Sequence, residues 1–503
     1  MMFYDNFYNV DKNMTYKKQK ITKFAGINSD IDSNILSISN SPMTYNFDYS
    51  DGALRDGMGV KALQFCCAEG TVEKYKLIDS PSDMSFIKGC WLFNTWSTEQ
   101  SVYCPYLIIY SSNGDFYYNI LHGASSEIVK MNNLNFTERP IVTSYKLNGV
   151  DTLILVSEKD GMFTWQYPGV VKQIENVPSI SSMCVHENRL FVTNHGEKRT
   201  IMYSDNLDPT NFSVSIGNGG VIDLPDEFGK SNKVLSFEGY VYVFRDFNIS
   251  KVTTYLDEKD FTLSQLYVSN GRIFDKTVCI CGNKIVYLAS DGIYMFNGSS
   301  ATKMDLSINK LFEGVDNSKA VAGYSNGYYY LSCNIVYGDD VNIGNESPLR
   351  NYTNNAFIKI NIDTGAINIL RGYDIEHISV INDIYKSEVC VVIKESDGGY
   401  SMGVIDNSGM YFDTPTTKFW KSPTSDFGNP NKDKIIKEIS LESSKNITLC
   451  IASDKESREI EVVGKSGYQI VRPYVKGSKI SITFKSIEAD NYISNPQITV
   501  GYL

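Results

Sequence analysis

Residues 203–212, YSDNLDPTNF, gather two acids, two asparagines and a proline within ten positions. The carboxylates of Asp205 and Asp208 and the amide of Asn206 are oxygen ligands of the kind a hard cation takes. A carboxylate pair is also the equipment of acid–base catalysis. The same residue types make turns, because Asp and Asn side chains bond nearby backbone amides and proline presets φ. The turn is the favoured reading, since no D-x-[DN]-x-[DN]-G calcium loop is complete.

Other chemistry-bearing patterns weaken in the same way. Gly323-Tyr324-Ser325-Asn326-Gly327 matches G-x-S-x-G, but a nucleophile elbow needs a strand before it and a helix after it. Here YYYLSC (328–333) follows, a strand-type run, which makes Asn326-Gly327 a hairpin turn. SEKDGMFTW (157–165) nearly matches the Asp-box of sialidase-like propellers through Ser157, Asp160, Gly161, Thr164 and Trp165, with the spacing off by one residue on each side of Asp-Gly. Even a true Asp-box is a structural turn. His122, His186, His195 and His377 are isolated and no H-E-x-x-H occurs, although His186 and His195 flank one predicted hairpin. A hairpin-edge or surface role is expected of them rather than a metal pair. GNGG (217–220) does not open a helix, and none of the ten cysteines forms C-x-x-C, Cys66 and Cys67 being adjacent and Cys279 and Cys281 one residue apart. Reduced thiols acting as small core hydrophobes are therefore expected. The expectation is a non-enzyme with no catalytic, cofactor-binding or metal-ligating residues. Trp91, Trp96 and Trp165 remain candidates for stacking on sugars.

The elements that would carry these residues read as strands. A turn pair usually ending in Gly precedes an aromatic or Val-rich run in SNGDFYYNIL (112–121), EKDGMFTWQY (158–167), FEGYVYVFRD (237–246), ASDGIYMFNG (289–298), YSNGYYYLSC (324–333) and ESDGGYSMGV (395–404). HENRLFVTN (186–194) and CGNKIVYLAS (281–290) are weaker copies. Asn-Gly and Asp-Gly tolerate the positive φ of tight hairpins. The glycines at 114, 161, 239, 292 and 327 lie 47, 78, 53 and 35 residues apart. With HENRL inside the longest gap, a unit of about 35–55 residues fits, the size of a four-stranded propeller blade. The best helical candidate is short: MDLSINKLFEG (304–314), with Leu306, Ile308 and Leu311 on one face.

The last part of the chain changes rhythm. NITLCIAS (446–453), REIEVVG (458–464) and GSKISITFKSI (477–487) alternate, with Ile480, Ile482 and Phe484 facing one way and Lys479, Ser481, Thr483 and Lys485 the other. That period predicts sheets with one wet face, as in a small sandwich. KSPTSDFGNPNKD (421–433) reads as a linker into it or an arm lying on it. The expected architecture is all-β: an N-terminal arm and first strands over 1–60, a β-propeller of degenerate blades over 61–415, and a C-terminal β-sandwich-like domain over 416–503.

Bulk properties agree. The 503 residues include 34 Tyr and 25 Phe, and aromatic side chains suit the half-buried surface of a sheet. A formal charge of −11 argues against gripping nucleic acid or an anionic membrane, which takes clustered Lys and Arg, but not against a wall that DNA slides past. MMFYDNFYNVDKNMTYKKQK has no apolar core of signal-peptide length, and no apolar run approaches a membrane span. Synthesis in a cytoplasm is expected.

Three passages carry a resemblance. HENRLFVTNHGEKRTIMYSDNLDPTNF (186–212) resembles a phrase of β-propeller structural proteins of tailed bacteriophages, x-x-R-L-F-x-T followed by Y-S-D-x-x-D-P-x-N-F, matched by Arg189, Leu190, Phe191, Tyr203, Ser204, Asp205, Asp208, Pro209, Asn211 and Phe212. FAGINSDIDSNILSISNSPMTYNFDYSDGALRDGMGV (24–60) is similar to the N-terminal arm of that group, with Asn46, Gly52, Leu54, Arg55 and Gly59 in place. KFWKSPTSDFGNPNKDKIIKEISL (418–441) is similar to its W-x-S-x-x-x-D-F-G-x-P passage, through Trp420, Ser422, Asp426, Phe427, Gly428 and Pro430. The passages occur in the family's order along nearly the whole chain.

The resemblance implies a virion protein of the tail hub, nozzle or head–tail stabilisation type, assembled in the host bacterial cytoplasm. Its implied partners are further copies in a homo-oligomeric, commonly sixfold, ring, with adaptor, portal-proximal ring and fibre proteins as neighbours. DNA would pass through the ring without sequence-specific binding, along a net-negative channel, and no cofactor is implied. The competing expectation is a carbohydrate-binding or polysaccharide-degrading propeller at a tail tip or cell surface.

Overall fold

The Gly-terminated pairs fold as hairpin turns throughout. All eight predicted copies join two antiparallel strands, and Gly161 and Gly327 adopt φ of 85° and 83°, where a Cβ would be strained. The protein is described from a computed structural model, which places residues 15–69, 72–77, 84–97, 101–121, 128–194, 199–215, 219–224, 228–255, 258–336, 352–382 and 386–503.

The chain is all-β, and its small four-stranded antiparallel sheets are those of a β-propeller. Six consecutive sheets begin with strands Ile87–Ser97, Ile141–Leu147, Ile180–His186, Ser231–Phe237, Cys279–Cys281 and Val321–Ser325, each continued by the next three strands in the chain. A seventh begins with Asp374–Asn382, Ser387–Lys394 and Tyr400–Asp406, and takes Gly59–Lys61 from far upstream as its next strand. First strands of most neighbouring sheets lie against one another, from the second sheet to the fourth and from the fifth through the seventh to the first.

Apolar clusters hold the sheets together. Phe93, Phe116 and Trp165 join the first and second sheets, Val156, Leu190 and Phe212 the second and third, and Phe191, Leu224 and Val243 the third and fourth. Phe244 and Tyr287 join the fourth and fifth, Leu288 and Tyr329 the fifth and sixth, and Tyr330 and Val391 the sixth and seventh. Leu107, Ile109, Cys390 and Val404 join the seventh back to the first. Burial of these facing layers, at about 25 cal/mol per Å² of apolar surface, is what makes stacked sheets stable where single ones are not.

First strands start at 87, 141, 180, 231, 279, 321 and 374, giving intervals of 54, 39, 51, 48, 42 and 53. The glycine spacing differs from these intervals for a simple reason. Gly239 and Gly327 close the hairpin between first and second strands, whereas Gly114, Gly161 and Gly292 close the one between second and third.

Two larger sheets share a separate core. One runs Phe47–Asp48, Leu54–Asp56, Tyr492–Tyr502, Lys434–Ser443, Lys465–Val471, with Thr15–Lys20 and Val475–Gly477 on its flanks. The other runs Met43–Tyr45, Lys418–Lys421, Ile480–Ser486, Ile447–Ser453, Ser457–Val462. Trp420, Phe484, Leu449 and Ile439 fill the space between them. Ile480, Ile482 and Phe484 point inward as their alternation predicts. The opposite face is drier than predicted: Ser481 and Thr483 are buried, because Lys421 and Cys450 on the flanking strands stand beside Thr483. Segment 421–433 lies on this body, Ser425 bridging Ile480 and the Phe427 carbonyl accepting from the Tyr502 hydroxyl at 2.9 Å.

The helical candidate at 304–314 is reduced to one 3-10 turn, Asn309–Phe312. Its apolar residues Leu306, Ile308 and Leu311 are drawn into the core between the fifth and sixth sheets, and tertiary packing overrides the short period. Among the described residues, no helix is long and apolar enough to cross a membrane.

Candidate functional site

YSDNLDPTNF is a clasp between sheets. Tyr203 ends the strand Thr200–Tyr203 and is buried between the third and fourth sheets, while Phe212 is buried between the second and third. Between these anchors the polar atoms close on themselves. Asp205 Oδ1 accepts from the Asn206 amide at 2.6 Å. Asp208 Oδ1 accepts from the Thr210 amide at 3.0 Å and the Thr210 hydroxyl at 2.6 Å. The Asp205 amide donates to the Asn211 carbonyl at 2.8 Å and the Leu207 amide to the Asn188 carbonyl at 3.0 Å. Asp208 thus closes an Asx turn and Asp205 bonds the amide next to it, local backbone bonding of the kind their residue types favour. No group of three or more His, Cys, Asp or Glu side chains that could hold a metal is found among the described residues.

The neighbouring hairpin completes the clasp. Arg189 donates to the Ser204 carbonyl at 2.8 Å, pairs with Glu258 at 3.4 Å and lies over the Tyr203 ring. The Ser204 hydroxyl accepts from the Leu190 amide at 2.9 Å. His186 is buried rather than at the surface, since its hairpin tip packs on the fourth sheet. Its Nδ1 and Nε2 each lie 2.9 Å from a hydroxyl, of Ser236 and Thr254. Burial pushes its imidazole below the ordinary value. His122 and His195 lie outside the described residues. His377 stands near the Trp91 ring with Nε2 3.0 Å from the Ser379 hydroxyl, and burial, reinforced by Arg139 and Lys276, drives its pKa well down.

The two other motifs are turns as well. Ser325 sits in the hairpin between Val321–Ser325 and Tyr328–Cys333 with its hydroxyl 2.7 Å from that of Ser387, and no helix follows it. Asp160 binds the Ser157 hydroxyl at 2.7 Å and the Thr137 amide and hydroxyl at 3.0 and 2.9 Å. Burial opposes its ionisation, but these hydrogen bonds prevail and hold its carboxyl below the usual range. Trp165 is buried among Phe93, Tyr118 and Tyr167, with its Nε1 donating to the Gly169 carbonyl. Of the three candidate sugar-stacking tryptophans only Trp96 is open: it is 47% exposed and meets Tyr103, 51% exposed, edge-on at 5.2 Å.

A cleft of about 440 Å³ opens where the five-stranded sheet meets the propeller. Tyr45 and Phe419, stacked at 5.1 Å and packed in the cluster between the fifth and sixth sheets, line it together with Ile447 and Val462. Lys485 and Glu461 bring opposite charges to its wall. Sequence reading missed this cleft because its walls come from opposite ends of the chain.

The chain matches no family model, and no curated protein matches it. Among solved structures it is similar to BBS1N in complex with ARL6DN, with 7% identity over 69% of this chain and 97% of that chain, at a TM-score of 0.40. It is also similar to PorZ, an essential bacterial surface component of the type-IX secretion system of Porphyromonas gingivalis, with 11% identity over 76% of this chain and 52% of that one, at a TM-score of 0.35.

Proposed function

We propose that the chain is a non-enzymatic structural protein of a phage virion. In this reading it is a seven-bladed β-propeller with a β-sandwich built from both parts of the chain that flank it. It assembles as a homo-oligomeric ring, sixfold by the family resemblance, in the neck or tail around the DNA channel. Adaptor, portal-proximal ring and fibre proteins are its neighbours.

One observation supports this above others: the residues that carry the resemblance serve connections, not chemistry. Asn46 is buried and ties three segments, donating to the Arg371 and Thr417 carbonyls at 3.0 and 2.7 Å and accepting from the Arg371 amide at 2.8 Å. Leu54 fills the core of the paired sheets, and Arg55 pairs with Asp51 and lies over the Tyr492 ring. Gly59 leaves room for the Met410 carbonyl, which a Cβ would meet at 2.6 Å. Trp420 packs edge-on against Phe24 at 4.9 Å, and the Ser422 hydroxyl accepts from the Ile482 amide at 2.9 Å. The Arg189–Phe212 clasp joins three sheets.

Such a disc is suited to carrying load, because its strand edges are short and covered. Identical copies joined head to tail close into a ring. The charge of −11 lets a duplex move past without adhesion. The test is electron microscopy of the purified full chain and of assembled particles. A closed ring with a net-negative lumen at the neck or tail is expected; a monomer at micromolar concentration with no position in the particle would overturn the reading.

The exposed Trp96–Tyr103 pair favours a second reading, a carbohydrate-binding propeller, since open aromatic faces stack on sugars. Binding to host envelope polysaccharide that disappears in Trp96→Ala would support it over the ring.

A further inference from the structure

The seam between the first and seventh sheets closes the ring of sheets across the greatest distance in sequence. Cys90 on Ile87–Ser97 and Cys390 on Ser387–Lys394 are 300 positions apart in the chain. Both are buried in the apolar cluster that joins these sheets, with Leu107, Ile381 and Val404 around them. Ser379 is the cross-strand partner of Cys390, and its hydroxyl donates to the Cys90 carbonyl. The strand carrying Cys90 is therefore fastened at the position that Cys390 occupies. The two cysteines thus share one apolar cluster at the seam, and the Cys90 thiol, with burial, holds the Cys390 thiol well above its ordinary range. Both are free cysteines.

We propose that Cys90 and Cys390 are a modification site: in the presence of a low-molecular-weight disulfide such as oxidised glutathione they form a disulfide that latches the ring. One cysteine loses its proton and its thiolate attacks the reagent's sulfur, releasing a first glutathione thiolate and leaving a mixed disulfide. The second cysteine loses its proton and attacks the protein sulfur of that mixed disulfide, expelling the second glutathione. The protein gives up two protons and two electrons, and the reagent is reduced to two thiols. Because buried protonated thiols react slowly, the exchange takes place as the seam closes during folding, or when it opens. A link spanning so long a loop restricts the unfolded chain strongly.

The full chain is refolded from denaturant with a mixture of oxidised and reduced glutathione, and in parallel with excess reductant. A non-reducing peptide map of the first sample should contain one linked species joining the Cys90 and Cys390 peptides, lighter by two hydrogens than their sum. Its thermal midpoint should lie about 5 °C or more above that of the reduced sample. Reductant should abolish the difference, as should Cys90→Ala or Cys390→Ala, while Cys450→Ser in the other body should preserve it. Cys90 and Cys390 both remaining alkylatable after oxidative refolding would overturn the proposal, and so would a link that leaves the midpoint unchanged. The comparison of oxidised with reduced wild-type protein decides the matter even if a cysteine variant does not fold.

Discussion

The propeller sheets and the paired sheets are built from the same kind of strand by opposite routes. Six of the small sheets each come from one unbroken stretch of chain, so every strand pairs with the strand before or after it in sequence. The paired sheets instead bring Thr15–Lys20, Met43–Tyr45 and Leu54–Asp56 onto strands beyond residue 418. The seventh small sheet is intermediate, three local strands completed by Gly59–Lys61. Local pairing closes short loops and is quickly formed, whereas remote pairing must overcome a larger loop entropy before its contacts contribute. Damage to a local sheet should therefore stay local, while damage to a remote pairing should loosen both bodies.

The largest effect is expected from Trp420→Ala. Trp420 is fully buried between Phe24 and Phe484, and its Nε1 donates to the Ala25 carbonyl at 3.3 Å. Its removal should cost about 3–5 kcal/mol and split urea unfolding into two steps. The remaining tryptophans, Trp91, Trp96 and Trp165, all lie in the propeller, so fluorescence in this variant follows that body alone. A single unshifted transition by circular dichroism, which reports both bodies, would show that the paired sheets do not depend on the arm.

Val60→Ala should come next. Val60 is buried in the closing strand, beside Ile405, and its carbonyl accepts from the Phe412 amide at 2.7 Å. A loss of roughly 1.5–3 kcal/mol is expected, with hydrogen exchange rising in both the sixth and seventh sheets, between which Val60 packs. Exchange confined to residues near 60 would argue against a shared seam.

A smaller effect should appear with pH. His186 and His377 are held below the ordinary imidazole value of 6.5 by burial. The unfolded chain thus takes up protons that the folded one refuses. Stability is complete above that pH and falls as pH drops through it toward the lower folded values. The urea midpoint should decline between pH 7.5 and 5.5, and His377→Gln should flatten the decline. An unchanged slope in that variant would remove His377 from the account.

The smallest change belongs to the clasp. Asp208→Ala deletes two hydrogen bonds to Thr210 and should cost about 1 kcal/mol, measured by thermal unfolding. Tight calcium binding lost with this substitution would reinstate the cation reading.

What was legible in the sequence follows this same division. Hairpin turns announced themselves, because Asn326-Gly327 and Asp160-Gly161 need backbone angles that few residues accept. The alternation of 480–484 gave the inward face of its strand. Remote pairings left no such trace: Gly59–Lys61 and Phe47–Asp48 are too short to show any period, and their partners are set by tertiary packing. The clasp at 203–212 was readable as turn chemistry for the same reason as the hairpins. The cleft, and the meeting of Cys90 with Cys390, were not, since both depend on which distant segments the closed ring brings together.

The borrowed strand has a consequence for how the molecule is made. Gly59–Lys61 emerges from the ribosome about 340 residues ahead of Tyr400–Asp406, its sheet partner. At elongation rates of roughly 5–20 residues per second, that is a wait of about 17–70 s. During it, six sheets can stack as they are synthesised while the stretch meant to close them stays unpaired. Synthesis therefore imposes an order, open arc first and closure last, in which the final joint is made by a strand that was among the first to be translated.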